Sequence, residues 1–139
     1  AYDIKITDAV LDEIINSNKR ISREHPEIRE IVLTAIYNSS SEENLTVLCI
    51  NSLNDLSSTK IYFELKDAGE LDLGEIESIP VAFDIDAKFL SNDEEAIEAA
   101  NEIKQGLGLY FLDFCKEIKK NRIITEAQFD TIREFMKNY

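Results

Sequence analysis

The chain predicts an α+β fold: a four-stranded antiparallel sheet, with room for a fifth strand. An N-terminal helix and a C-terminal antiparallel helical hairpin would cover one face of the sheet. Three observations lead there. Apolar residues alternate with polar ones over Thr59–Lys66 and again over Ile79–Asp86, the period of a half-buried strand. Two β-branched runs, Ile31–Tyr37 and Leu45–Ile50, flank a polar stretch at 38–44 that reads as a hairpin loop. The last fifty residues carry helical periodicity with helix-start signals.

In order, Ile4 and Ile6 alternate with Asp3 and Lys5, and Thr7 or Asp8 offers a helix N-cap. Val10, Leu11, Ile14 and Ile15 then make one helical face, which ends near Lys19. Residues 30–37 read as a strand, with a helix as the alternative because Ile28, Ile31, Val32, Ala35 and Ile36 also fit a helical face, and a strand follows at 45–50. In 59–66, Ile61, Phe63 and Leu65 point one way. Asp67-Ala68-Gly69 turns the chain, and Leu71 and Leu73 allow the short fifth strand. In 79–86, Ile79, Val81, Phe83 and Ile85 share a face, and Pro80 places this strand at an edge, because it cannot donate to a ladder.

Ser91 and Glu94 make a capping-box pattern at the start of the longest helix. Its apolar face is Ala96, Ala100, Ile103, Leu107, Phe111, Phe114 and Ile118. Gly106 and Gly108 interrupt that face as a close contact or kink, with a break into two helices as the alternative. Thr125 and Gln128 form a second capping box, with Ile124 and Phe129 placed for a hydrophobic staple. A chain of 139 residues without an evident linker reads as a single domain spanning 1–139.

Charge is the one functional signal. Residues 64–102 hold thirteen carboxylates against Lys66 and Lys88, so eleven of the thirteen net negative charges fall there. Such a balance argues against direct binding to nucleic acid, which needs clustered cations. It argues equally against an anionic membrane surface. No run approaches a membrane span and the chain opens without a basic, apolar leader, which predicts a cytoplasmic protein.

Catalytic and metal motifs are weak. Asp84, Asp86 and Glu95 fall at positions 1, 3 and 12 of an EF-hand-like spacing, but Lys88 and Phe89 occupy positions that need an oxygen ligand and a glycine. His25 is the sole histidine, and Cys49 and Cys115 both sit in apolar runs. No nucleophile elbow, phosphate-binding loop or zinc-spaced Cys/His set is present. Neither a metal nor another cofactor is expected.

The expected function is therefore that of an acidic, non-enzymatic binding protein that blocks or sequesters a basic protein partner. In composition it is comparable to nuclease-immunity and DNA-mimic inhibitors. The expected contact acids are Asp67, Glu70, Asp72, Glu75, Glu77, Asp84 and Asp86, because complementary charge speeds encounter and selects partners. The alternative is a structural or assembly module that docks or oligomerises through the C-terminal hairpin, using Leu109, Tyr110 and Leu112 as an apolar stripe. A small enzyme ranks third.

Overall fold

A computed structural model describes residues 4–10, 45–48 and 53–138. The chain divides into two compact units, Ala1–Ile85 and Asp86–Tyr139.

In the first unit, strand β1 (Ile4–Thr7) pairs in parallel with β2 (Leu45–Leu48), from Ile4 opposite Leu45 to Thr7 opposite Leu48. Residues 8–10 are helical, and the Thr7 hydroxyl accepts the Val10 N–H at 3.4 Å, as its N-cap position predicts. Two helices follow, α1 (Leu56–Ala68) and α2 (Leu73–Asp84), and pack against each other. Asp55 caps α1 by accepting the Ser57 N–H at 2.9 Å. Gly69 ends α1 with φ of 68°, a left-handed conformation that costs glycine nothing. Asp72 and Glu75 form a reciprocal capping box at the start of α2.

The four-stranded antiparallel sheet is not what these residues build. The described strands form two two-stranded parallel ladders, and the described residues are mostly helical. Residues 59–66 lie inside α1. Their alternation is a coincidence of spacing: Ser58 and Ile61 are buried, as helical spacing demands, while Phe63 is 53% exposed, although alternation groups it with Ile61. Leu71 lies at a bend and Leu73 opens α2, so the fifth strand is absent at that position.

Residues 79–84 lie in α2, which carries Pro80 inside it. This proline removes one backbone hydrogen bond, at a cost of about 3 kcal/mol in a helix interior. Burial offsets that cost: Ile76, Ile79, Pro80, Val81 and Ala82 are all buried, and each large side chain contributes roughly 1.5–3 kcal/mol. A helix buried nearly all round shows no polar face, so its sequence resembles a strand. The expected strand at 31–37 and its hairpin loop lie outside the described residues, as does the body of the N-terminal helix.

The second unit opens with β3 (Phe89–Ser91), α3 (Glu94–Ile103) and β4 (Gly108–Tyr110). The two strands pair in parallel, Phe89 opposite Gly108 and Ser91 opposite Tyr110, so α3 is the crossover of a β-α-β unit. The predicted single long helix is thus broken into α3 and α4 (Phe111–Lys120), with a strand between them. Asp93 caps α3 by accepting the Glu95 N–H at 2.9 Å, while Ser91, the predicted cap, ends β3 and accepts the Asp93 N–H at 3.0 Å.

Gly106 adopts φ of +81° in the turn before β4. At Gly108 a Cβ would stand 3.0 Å from the Ile97 carbonyl oxygen and 3.3 Å from the Ala100 Cβ, so β4 lies directly on α3. The last helix, α5 (Glu126–Asn138), begins where Thr125 and Gln128 exchange hydrogen bonds of 3.1 and 2.9 Å. It packs on α4. Phe129 is buried beneath the Lys119 ammonium, which stands 4.3 Å above its ring.

Candidate functional site

The seven predicted contact acids separate into distinct environments. Asp67 ends α1 and Glu70 lies in the connection to α2; both are exposed and form no ion pair among the described residues. Lys66, beside them in sequence, places its ammonium 5.7 Å from the Tyr62 ring centre instead. Asp72 and Glu75 flank the same turn and spend part of their hydrogen-bonding capacity on the capping box. The α1–α2 connection therefore gathers four of the seven.

The other three do different work. Glu77 faces the interior at 8% exposure. Burial, and then the neighbouring Asp8 carboxylate, push its pKa above the ordinary glutamate value. Asp84 reaches from the last turn of α2 to the start of α1. It accepts the N–H groups of Asn54 and Asp55 at 3.1 and 2.8 Å and the Ser58 hydroxyl at 3.0 Å. Partial burial raises its pKa, but these hydrogen bonds together outweigh burial and hold it below the usual aspartate value. Asp86 accepts a hydrogen bond from the Lys104 ammonium at 2.9 Å, and that contact lowers its pKa.

The EF-hand-like spacing does not become a loop, because Asp84 lies in α2 and Glu95 in the first turn of α3. No group of three or more metal-ligating side chains converges among the described residues. Cys115 is buried and unbridged, and burial pushes its thiol pKa up. Cys49 and His25 lie outside the described residues.

The second unit holds an acidic face absent from the predicted contacts. Partial burial and the charges of Glu94, Glu98, Asp113 and Asp93, in that order, raise the Tyr110 hydroxyl pKa. Asp93, Glu94 and Glu98 belong to the start of α3 and Asp113 to the first turn of α4. All four charges thus act on the hydroxyl of Tyr110, the last residue of β4. The density of acids at 93–98 is visible in the sequence; their meeting with Asp113 at Tyr110 depends on the parallel strand pairing.

Leu109, Tyr110 and Leu112 do not form a helical stripe. Leu109 and Tyr110 belong to β4 and Leu112 to α4, and all three are half-buried. Among the described residues the large exposed apolar side chains lie elsewhere: Leu56, Phe63, Leu73 and Ile85 in the first unit, Leu90 and Ile123 in the second. Among the described residues no helix is long and apolar enough to cross a membrane. Neither a protein-family model, nor a curated protein, nor a solved structure matches this chain.

Proposed function

We propose that this chain is an acidic binding protein that engages a basic protein partner, blocking or sequestering it. The observation that carries the reading is the α1–α2 connection, where Asp67 and Glu70 face solvent without an ion pair among the described residues and Asp72 stands beside them. Exposed carboxylates left without local cations create a field that steers a basic surface and sets its orientation. The carboxylates around Tyr110 offer a second such face. Asp84, Glu77 and Asp86 leave the contact set, because they serve the α1 N-terminus, the interior and Lys104.

A pull-down from nuclease-treated lysate at low and high salt tests the reading. One basic protein captured at low salt and released at high salt supports it. Capture that survives high salt points instead to an apolar interface and to the assembly reading.

A small enzyme, third in rank after the assembly module, is favoured by one observation. Asp93 and Asp113 follow the carboxyl ends of the adjacent parallel strands β3 and β4, the end at which α/β folds gather small ligands. A thermal-shift ligand screen separates the readings. A stabilising ligand that loses its effect in both Asp93→Asn and Asp113→Asn favours the enzyme.

A further inference from the structure

We propose that the outer face of α1, running from Leu56 through Phe63 to Asp67 and on to Glu70, docks an amphipathic helix whose apolar stripe ends in Lys or Arg. The inference names the partner's binding element and rests on the acidic-binding reading. Ser58 and Ile61 mark the side of α1 turned to the interior. Leu56 and Phe63 stand two helical turns apart on the opposite side, roughly 10 Å from each other along the axis. There Leu56 is 84% exposed and Phe63 53%. Asp67, one further turn along, continues the line, and Glu70 follows just past the helix end.

Scattered exposed apolar residues need no explanation. This pair differs in being aligned and held. The Phe63 ring meets Tyr62 edge to face, with ring centres 5.2 Å apart, and Tyr62 is itself met by the Lys66 ammonium. A ring fixed in this way loses little side-chain freedom on binding, as an interface anchor requires.

Charge complementarity selects the occupant. Lys60, inside the stripe, is paired with Glu64 at 3.7 Å, and Lys66 turns to Tyr62. The cations of α1 are thus engaged, while Asp67 and Glu70 stay exposed without an ion pair among the described residues. The negative end of the α1 dipole adds to their field. The stripe is therefore apolar at its start and negative at its end. A helix laid along it satisfies both halves with apolar residues one and two turns apart and a cation over the last turn of α1. A second copy of this chain is a poor occupant, because each copy carries a net charge of −13.

Fluorescence anisotropy with synthetic peptides tests the proposal on the full chain. The probe is a peptide of roughly eighteen residues, long enough to form a helix, with Leu along one helical face and Lys at one end of it. A second peptide has the same composition in an order that breaks the face. The wild type is expected to bind the amphipathic peptide roughly tenfold more tightly than the scrambled one. Leu56→Ser, Phe63→Ser and the pair Asp67→Lys with Glu70→Lys should each weaken that binding roughly fivefold or more. Ile123→Ser, at an exposed apolar position of the second unit, should leave it unchanged. Equal binding of the two peptides overturns the docking proposal while the acidic-binding reading stands, since charge alone then accounts for the contact. Binding of neither peptide at low salt overturns the proposal and counts against that reading too. A wild type that dimerises in sedimentation, with Phe63→Ser monomeric, gives the face to a second copy and overturns the proposal as well. Leu56 and Phe63 are exposed, so their variants are expected to keep the fold, which circular dichroism checks.

Discussion

The carboxylate of Asp84, in the last turn of α2, accepts the backbone N–H of Asp55, the N-cap of α1, at 2.8 Å. The same carboxylate takes the Asn54 N–H and the Ser58 hydroxyl. A helix N-terminus leaves several N–H groups without intrahelical partners, and here an acid from the next helix fills part of that need.

Asp84→Ala is expected to destabilise the protein by about 1–3 kcal/mol, the range for removing a charged acceptor from several donors. Asp84→Asn should cost less, because its amide oxygen still accepts. The pH dependence has a definite sign. The folded pKa lies below the unfolded one, so the contribution is full above the unfolded aspartate value. It is lost as pH falls through the folded value. Urea titrations of wild type and Asp84→Ala at neutral and acid pH check this: the gap between them should narrow in acid.

Glu77 carries the opposite sign. Its folded pKa is raised, so the native state holds the proton more tightly than the unfolded chain. Stability then falls as pH rises from the ordinary glutamate value through the raised folded one, and stays reduced above it. Glu77→Gln keeps the size of the side chain and removes the charge. It is expected to be more stable than wild type at neutral pH, with a difference that closes in acid. Thermal melts from pH 4 to pH 7.5 would reveal this, and a less stable variant at neutral pH would contradict it.

Gly108 is required by proximity and Gly106 by backbone conformation. A methyl group at 108 would press on the Ile97 carbonyl and the Ala100 side chain, both parts of a packed helix. Gly108→Ala should therefore cost about 1–3 kcal/mol, as overpacking does. Gly106 meets only the end of Lys88, but its positive φ makes Gly106→Ala cost on the order of 1 kcal/mol. Denaturant midpoints of the two variants should fall in that order.

These same glycines show where the sequence was legible. The Thr125–Gln128 capping box and the Phe129 burial were readable because both depend on residues a few positions apart. Gly106 and Gly108 marked an interruption, but strands of three residues are too short for a period to appear, so β3 and β4 merged with one long helical pattern. Ile61, Phe63 and Leu65 alternate by chance inside a helix. The buried run Ile79–Ala82 shows no polar face at all. The acids were readable as a count and not as a surface. Asp84 is spent on the α1 N-terminus, while Asp113, outside the acidic stretch, joins Glu94 and Glu98 at Tyr110.

The two acidic faces can be told apart by charge reversal. Asp67→Lys with Glu70→Lys changes the α1–α2 connection without touching its capping box, since Asp72 and Glu75 remain. Glu94→Lys with Glu98→Lys changes the Tyr110 face while Asp93 still caps α3, though it places cations near that helix's N-terminus, at about 0.3–1 kcal/mol each. Stopped-flow association with the captured basic partner at low salt should slow by roughly tenfold or more for the face that meets it, with little change in the other pair. Rising salt should erase the difference, because the Debye length shrinks to about 3 Å at 1 M. If neither pair slows association at low salt, electrostatic steering is not how this chain finds its partner, and the acids act only as a hydrated surface.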